Sequence, residues 1–227
     1  MVEIATYQRL DLIHVHYAVP HATSALLAAQ VLGQEAPPVV TTLHGTDITL
    51  VGNDPAYLPI TRYSIYKSNG VTAPSQYLKE ATYEQLHLST STPIEVIPNF
   101  VDVDLFRPGT GADGGDFAGE GRLCRRIAGE KTITHVSNFR PVKRLDDVVR
   151  IFALINEQVR SRLVLIGDGP ERGRTQELVR ELGLGEQVCF LGKQDAFLHI
   201  LQQSDLFLLP GATESFGLAA LEAMSCG

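Results

Sequence analysis

The sequence has no tryptophan, only two methionines and no long apolar run among its 227 residues. No window approaches the roughly 18 consecutive apolar residues that a membrane-spanning helix needs, so no membrane partner is expected. The first residues, "MVEIATYQRLDLIHVH", contain no basic segment followed by an apolar stretch, so we expect no secretion signal. These absences favour a cytoplasmic location.

Cysteine is also scarce. The three residues Cys124, Cys189 and Cys226 are odd in number, far apart in the chain and outside any CxxC spacing. This pattern predicts reduced thiols of a cytoplasmic protein rather than disulfides or a zinc site.

Positive charge is not in excess either, since the formal net charge is −7 at pH 7. An acidic chain is a poor match for a nucleic acid partner. The acidity is concentrated in residues 1–108, which hold five Lys/Arg against ten Asp/Glu, a net charge of −5. What the chain does have is 44% hydrophobic residues with 20% charged residues, typical of a globular protein with a buried core.

Short apolar runs alternate with longer helical patterns almost throughout, which is typical of βαβ units and a parallel sheet. Strands are predicted over 12–16, 39–44, 70–74, 94–99, 132–137, 162–167, 187–191 and 205–209. Helices are predicted over 20–32, 56–68, 75–87, 144–159, 171–182, 195–203 and 216–225, with Ser75 as an N-cap. The fold class is therefore α/β.

The segment "GTGADGGDFAGEG" interrupts the alternation and predicts a linker or surface loop over 109–130. It divides a first domain (1–108) from a second (131–227), with a cleft expected between them. The chain begins without the usual opening strand and glycine loop and ends within a helix pattern. We therefore expect a fragment with both domains incomplete.

In open parallel sheets ligands bind beyond the carboxyl ends of strands, so the segments that follow strands are the candidates for chemistry. "VSNFRPVKR" places Arg140, Lys143 and Arg144 at such a point, where cations suit a diphosphate or simply a solvated helix start. "LIGDGPE" places Gly167 and Gly169 after the next strand. Glycines there allow a ligand to approach the backbone, but tight turns use the same residues.

The C-terminal "PGATESFGLAALEA" combines more features. A helix that begins near Ser215 presents free backbone N–H groups and a positive dipole end, a seat for phosphate. Glu214 lies in the loop before it, and Glu222 follows about 12 Å along the helix axis, which suits a second hydroxyl-bearing ring. The alternative is an acidic helix start that the dipole favours without any ligand.

In the first half, "HVHYAVPH" and "TTLHGTD" bring histidines to strand ends. His14 and His16 point the same way on a strand. With His44 or Asp47 they permit a metal site, and hence a metal-dependent hydrolase, although histidines at strand ends are often satisfied by protein hydrogen bonds.

Taken in order, these segments resemble the family 4 retaining glycosyltransferases. "ESFGLAALEAMSCG" is similar to that family's E-x7-E region, and "IPNFVDVDLFRP" to its passage between domains. "IHVHYAVPHA", "TTLHGTDIT" and "HVSNFRPVKRLDDV" resemble the branch that joins N-acetylglucosamine from UDP-N-acetylglucosamine (UDP-GlcNAc) to L-malate in bacillithiol biosynthesis. The resemblance covers the chain from Asp11 to Gly227 except near 109–130. It implies the GT-B fold, two Rossmann-like domains facing across a cleft.

The resemblance also implies roles for single residues. Glu214 would hold hydroxyls of the donor sugar, Glu222 the UDP ribose, and Lys143 with Arg140 would neutralise the departing diphosphate. His44 would lie beside the reacting sugar. The remaining donor-site residues would be Asn138, Gly167, Gly169, Ser215, Phe216, Gly217 and Leu218, and the acceptor contacts Tyr17 and Thr42. Asn138 stands where most of the family has an arginine, and we expect Arg140 to replace that charge.

The resulting hypothesis is a metal-free and cofactor-free transfer of N-acetylglucosamine from UDP-GlcNAc to L-malate. The malate dianion would need a cationic contact, for which the candidates are Arg62 and a residue of the segment expected to be missing. The alternatives are another small acceptor, a UDP-sugar-binding remnant without turnover, and the metal-dependent hydrolase. Homo-oligomerisation stays open.

Overall fold

The computed structural model describes residues 1–49, 51–52, 54–109, 117–119, 122–124 and 127–227. The chain forms two compact units, Met1–Asn99 (unit 1) and Phe100–Gly227 (unit 2). Of the helices in the described ranges, none combines the length and the apolar composition that a membrane span requires.

Unit 1 contains one parallel sheet of four described strands in the order β1-β2-β3-β4. The strands are β1 (Ile13–His16), β2 (Val39–Thr42), β3 (Gly70–Ala73) and β4 (Glu95–Val96). The helices are α1 (Val2–Tyr7), α2 (Thr23–Leu32), α3 (Thr46–Thr49), α4 (Leu58–Lys67) and α5 (Gln76–Gln85). A π-helical turn covers Ala18–Ala22 and a 3-10 turn Gly33–Glu35.

Side chains of β1 point alternately to the buried and the exposed face of the sheet. Ile13 and Val15 are buried, whereas His14 and His16 are exposed on the other face. The parallel register places His16 opposite Thr42 and Thr42 opposite Thr72, so one row of polar side chains crosses three strands. Apolar side chains such as Val15 and Val39 fill the buried side.

Unit 2 contains a second parallel sheet, in the order β10-β7-β8-β9. Its strands are β7 (Lys131–Val136), β8 (Ser161–Ile166), β9 (Val188–Gly192) and β10 (Leu206–Phe207). Its helices are α6 (Leu145–Asn156), α7 (Arg172–Glu181), α8 (Leu198–Leu201) and α9 (Leu218–Ser225), with a 3-10 turn over Pro141–Lys143. The chain winds from β7 to β9 in one direction and returns to the far side of β7 with β10. The strand order therefore reverses between β7 and β10, the switch point at which such sheets bind ligands.

The core of unit 2 explains why α6 packs on this sheet. Val148, Val149 and Phe152 recur at helical spacing and are fully buried against Leu163 and Leu165 of β8. At about 25 cal/mol per Å² of apolar area removed from water, each large side chain contributes roughly 1.5–3 kcal/mol before entropy costs. This packing fixes α6, and with it the loop that leads from β7 into α6.

The predicted alternation of strands and helices is confirmed, with differences at the ends of elements. The strand expected over 94–99 is only two residues long, and the one over 205–209 is Leu206–Phe207. A proline follows each of them, Pro98 and Pro210, and proline has no N–H for a ladder hydrogen bond. Ser75 caps α5 as expected, because its hydroxyl accepts a 3.1 Å hydrogen bond from the Leu78 N–H.

Some elements lacked a clear signal in the sequence. Helices α1 and α3 are six and four residues long, too short for an amphipathic pattern. A hairpin of β5 (Phe117–Gly119) and β6 (Arg122–Cys124) lies inside the segment predicted as a linker. Residues 110–116, 120–121 and 125–126 of that segment lie outside the described residues, so the linker over 109–130 and the domain limits drawn from it stay a prediction.

The expectation of three reduced thiols was wrong. Cys124 of β6 and Cys189 of β9 form a disulfide, with Cα atoms 6.1 Å apart, and only Cys226 is free. The two partners are 65 residues apart in the chain, and only the packing of the hairpin beside β9 brings them together. No local spacing could have predicted that pair.

We predict that the denatured, unreduced protein titrates one thiol rather than three, and that reduction lowers the free energy of unfolding by about 2–4 kcal/mol. The reason is the long loop that the bond closes in the unfolded chain. Thiol titration and urea unfolding with and without reductant measure both effects. Cys124→Ser should abolish the response to reductant, whereas the control Cys226→Ser should keep it. Three titratable thiols in fresh protein would contradict the prediction.

Candidate active site

The candidate site of unit 2 lies where three strand ends meet. The loop after β7 (137–144) lies between the segments that follow β8 and β10. The Glu171 N–H donates a 3.0 Å hydrogen bond to the Phe139 carbonyl on one side, and the Ala212 N–H donates one of 2.9 Å to the Val142 carbonyl on the other. These backbone bonds fix the turn that carries Lys143.

An ion pair spans the switch point between β7 and β10. The Lys143 ammonium donates a 2.7 Å hydrogen bond to Oε1 of Glu214, and the two side chains are only 19% and 25% exposed. Partial burial strengthens the attraction relative to a surface pair, because water screens it less. Gly211 makes room for this carboxylate, since a Cβ there would lie 2.9 Å from Oε1 of Glu214. Two residues predicted for catalysis are therefore brought together.

A buried histidine, His135, lies near the ion pair. The His135 ring is fully buried at the end of β7, with Nδ1 2.8 Å from the Leu208 carbonyl and Nε2 2.8 Å from the Ser137 hydroxyl. Because a carbonyl only accepts, Nδ1 carries the proton, and the neutral ring accepts from Ser137 at Nε2. Burial is the largest cause of a lowered pKa for His135, the Leu208 bond opposes it, and the nearby Lys143 charge lowers it further. The ring is therefore neutral at pH 7 and ties β10 to β7.

The glycines after β8 have a packing role that the sequence left open. A Cβ on Gly167 would lie 1.8 Å from the Ser137 carbonyl oxygen, and one on Gly169 would lie 2.2 Å from that of Asn138. Both have positive φ, 125° and 159°. They let the loop after β8 approach the loop after β7. Donor contact by these glycines stays a prediction.

Helix α9 begins two residues later than predicted. Gly217 has a left-handed backbone (φ 86°) at the N-cap, so the first helical residue is Leu218. Glu222 lies one turn into this helix and is half-buried, and burial raises the pKa of its carboxyl. The roles assigned to Ser215, Phe216, Gly217, Leu218 and Glu222 stay predictions.

Arg140 and Asn138 are close in sequence to the ion pair but do not join it. Both side chains are exposed. Among the described residues, no hydrogen bond or ion pair links the Arg140 side chain or the Asn138 side chain to the side chains of Lys143 and Glu214. The replacement of the missing arginine by Arg140 stays a prediction.

The candidate residues of unit 1 also lie together, at the ends of β1 and β2. Nδ1 of His16 is 2.6 Å from Nε2 of His44, and Nε2 of His14 is 2.7 Å from the Thr42 hydroxyl. The Tyr17 ring lies 4.9 Å from the His44 ring, and the Tyr17 backbone has φ 74°. A positive φ is strained for an aromatic residue and directs the chain away from the sheet here.

Asp47 organises this cluster but is not available to a ligand. Its buried carboxylate accepts 3.0 Å hydrogen bonds from the backbone N–H groups of Ala18 and His44. Burial raises the pKa of Asp47, and these hydrogen bonds counteract the rise. Within the described ranges, no group of three or more His, Cys, Asp or Glu is placed to hold a metal ion. The hydrolase hypothesis therefore lacks a site in this part of the chain.

Sequence reasoning missed three residues that shape these sites. His135 lies inside the buried strand β7, Gly211 follows a proline, and His16 was considered only as a metal ligand or as a histidine satisfied by protein hydrogen bonds. For His135 there was a usable signal, since a histidine within a buried strand must find hydrogen-bond partners.

Two family models match the chain. The model described as "Glycosyltransferase Family 4" matches residues 1–105, and the model "Glycosyl transferases group 1" matches residues 125–227. Together they leave only 106–124 unmatched.

The chain is 42% identical over 231 aligned positions to N-acetyl-alpha-D-glucosaminyl L-malate synthase of Bacillus anthracis. The match covers 100% of this chain and 57% of that protein, so the chain spans little more than half the relative's length. It is also 32% identical to the putative glycosyltransferase EpsF of Bacillus subtilis, over 59% of this chain and 34% of that protein.

Solved structures of glycosyltransferases have the same fold. HepE of Anabaena, solved with UDP and glucose, matches with a TM-score of 0.73 at 21% identity, over 99% of this chain and 59% of that one. The pneumococcal O-GlcNAc transferase GtfA, solved with UDP and GlcNAc, gives a TM-score of 0.73 at 14% identity, over 99% and 42%. The likeness confirms the predicted GT-B fold class, with its two parallel-sheet α/β units.

We predict that His135 makes the protein less stable in mild acid. Its folded pKa lies below the ordinary 6.5, so the unfolded state binds the proton first. The His135 contribution is fully present above pH 6.5 and is lost as the pH falls from there toward the folded pKa. His135→Asn should cost about 1–3 kcal/mol at pH 7.5, through lost hydrogen bonds, and should flatten the loss between pH 7 and 5.

The measurement is urea unfolding at each pH. Exposed His199→Asn is the control and should keep the wild-type slope. An unchanged slope in His135→Asn would contradict a neutral buried ring.

Proposed function

The chain belongs to the family 4 glycosyltransferases, and we propose that its activity is the transfer of N-acetylglucosamine from UDP-GlcNAc to the hydroxyl of L-malate. The choice of donor and acceptor is supported by the 42% identity to the malate synthase of Bacillus anthracis. In this proposal the transfer is the first step of bacillithiol biosynthesis and takes place in the cytoplasm, with no nucleic acid or membrane partner. The Cys124–Cys189 disulfide makes the protein an exception to the reduced thiols usual in that compartment.

The observation that carries the proposal is the Lys143–Glu214 ion pair at the switch point of unit 2. Without donor, the two side chains neutralise each other. A bound sugar diphosphate offers each a second partner, phosphate oxygens for the ammonium and sugar hydroxyls for the carboxylate. Because both groups are already oriented and partly desolvated, little reorganisation is needed when charge develops on the leaving diphosphate.

Residues 131–227 supply the donor side in this proposal. The backbone N–H groups from Ser215 to Leu218 would meet the diphosphate at the positive end of α9, and Glu222 would hold the ribose. Arg140 is exposed at the rim and would add a second cation. Residues 1–108 supply the acceptor side, with Tyr17 and Thr42 as acceptor contacts and His44 beside the reacting sugar.

The proposed reaction retains configuration at the sugar carbon. The malate hydroxyl attacks from the face that UDP leaves, the carbon–oxygen bond to UDP breaks, and a phosphate oxygen of the departing UDP takes the hydroxyl proton. Lys143 stabilises the negative charge on that phosphate. No step of this scheme uses a metal ion or a cofactor.

Two alternatives keep the same donor site. One is transfer to another small acceptor, and the other is UDP-sugar binding by this chain without turnover. The second is weighed because the chain spans 57% of the Bacillus anthracis protein.

The deciding experiment incubates the protein with UDP-GlcNAc, with and without L-malate, and follows UDP release and product mass. Malate-dependent release with a GlcNAc–malate product is the expected result. Release without preference for malate would move the acceptor to another compound. UDP binding without release would leave a binding module, and absence of both would overturn the proposal.

We predict that Lys143→Ala lowers turnover at least tenfold, about 1.4 kcal/mol of transition-state stabilisation, with a smaller effect on UDP affinity. Lys131→Ala is a matched control, because Lys131 forms a 2.7 Å ion pair with Asp205 at the opposite end of the same two strands. The control should lose about 0–1 kcal/mol of stability and keep its turnover. Equal rates for wild type and Lys143→Ala would remove the lysine from the mechanism.

A further inference from the structure

Four histidines gather at the carboxyl ends of β1 and β2. The histidine cluster consists of His14, His16, His21 and His44. The His14 and His16 rings are 4.7 Å apart, and those of His16 and His44 are 4.9 Å apart. Nδ1 of His21 lies 2.7 Å from the His16 carbonyl, so this ring donates there. Three of the four rings are exposed, and His44 is half-buried.

The permanent cations of unit 1 are placed elsewhere. Residues 1–99 contain only the cations Arg9, Arg62, Lys67 and Lys79. Arg62, a candidate for the malate contact, donates to the carbonyls of Leu86 (2.6 Å) and His87 (2.7 Å) at the end of α5. Arg9 and Lys67 precede β1 and β3, so they lie near the amino ends of the strands, whereas the histidines lie near the carboxyl ends. Among the described residues, none of the four has a hydrogen bond or ion pair to the histidine cluster.

The His16–His44 hydrogen bond limits how many protons the pair can hold. Between Nδ1 of His16 and Nε2 of His44, one nitrogen must donate and the other must accept. The pair is neutral with two ring protons and carries one positive charge with three. A fourth proton would place two N–H groups against each other and break the bond. The cluster can therefore gain one shared charge at this pair without rearrangement.

Nothing in the cluster itself stabilises that charge. The one carboxylate in contact with it, Asp47, is buried and already accepts two backbone hydrogen bonds. The pKa of His44 is lowered by burial first and by His16 second; Asp47 opposes this, and His14 adds to it. Tyr17, Thr42 and Thr72 supply only hydroxyl groups. An anion bound at the exposed nitrogens would reverse this balance and favour the extra proton.

We propose that the histidine cluster is a carboxylate-binding site that takes up a proton together with its ligand, and that it receives the carboxylates of the acceptor. The second half of this statement rests on the proposed function. The site takes a small dicarboxylate, because the rings of His14 and His16, whose centroids are 4.7 Å apart, can each donate to one carboxylate from the nitrogen that does not bond Thr42 or His44. The positive charge is thus supplied by the proton rather than by an arginine.

Titration calorimetry of the wild-type chain with L-malate tests the linkage directly. Binding is measured at pH 6.5, 7.25 and 8 in buffers of different ionisation enthalpy. We expect an uptake of up to one proton per bound malate. We also expect the affinity to fall as the pH rises across this range, by up to about tenfold for each pH unit. Succinate, which lacks the hydroxyl, should show the same uptake, whereas the uncharged diamide of L-malate should show none.

Two variants locate the effect. His16→Leu removes the shared proton and should lower malate affinity about tenfold or more at pH 6.5 while abolishing the uptake, since it deletes one charge-assisted hydrogen bond to the carboxylate. His87→Asn is the matched control: it deletes an exposed imidazole elsewhere in unit 1, at a left-handed position (φ 48°) that asparagine tolerates. It should bind like the wild type.

Several outcomes would overturn the inference. These are binding of malate without proton uptake, unchanged uptake in His16→Leu, or no carboxylate binding at pH 6.5. The wild-type measurement does not depend on whether a variant folds. It also separates this inference from the proposed function. Proton-linked dicarboxylate binding without a GlcNAc–malate product would contradict only the proposed function. Product formation without proton uptake would contradict only the proposed carboxylate site.

Discussion

The geometry of the donor-side site depends on one buried, neutral imidazole. His135 donates to the Leu208 carbonyl and accepts from Ser137, so a single ring joins the ends of β7 and β10 where the strand order reverses. The backbone hydrogen bond from the Ala212 N–H to the Val142 carbonyl joins the two loops that follow these strands, a few residues further along. The lowered pKa of His135 fits this role, because a charged ring at this depth would repel Lys143 and lose its acceptor at Nε2.

The loops around His135 approach one another closely at glycines, where a larger side chain would clash with the neighbouring loop. Gly167 and Gly169 allow the segment after β8 to touch the backbone of 137–139, and Gly211 leaves space for the Glu214 carboxylate. The resulting surface presents an ammonium from the segment after β7, and a carboxylate and the start of α9 from the segment after β10. Such a surface can meet a charged sugar nucleotide without first reorganising, which is the property electrostatic catalysis requires.

Unit 1 differs from unit 2 in the kind of charged group found at the ends of its strands. It is acidic, and the arginine that could have faced an anion is bound instead to the carbonyl groups that end α5. The edge where β1 and β2 end carries imidazoles, which become charged only when a proton is gained. Unit 2 thus carries fixed charge at its strand ends, whereas unit 1 carries imidazoles at the ends of β1 and β2.

The sequence by itself determined the local structure and the class of protein. Alternating apolar runs and helical patterns specified nearly all strands and helices, and the order of motifs from "IHVHYAVPHA" to "ESFGLAALEAMSCG" specified the glycosyltransferase family, because both are properties of neighbouring residues. Only the tertiary structure decided which distant residues meet. Lys143 and Glu214 are 71 residues apart, Cys124 and Cys189 are 65 apart, and His16 pairs with a ring 28 residues away. Arg62, a candidate for the cationic contact, donates to the carbonyls of Leu86 and His87, 24 and 25 residues away. Such pairings follow from strand order and register, which arise from long-range packing and leave no periodic trace in the chain.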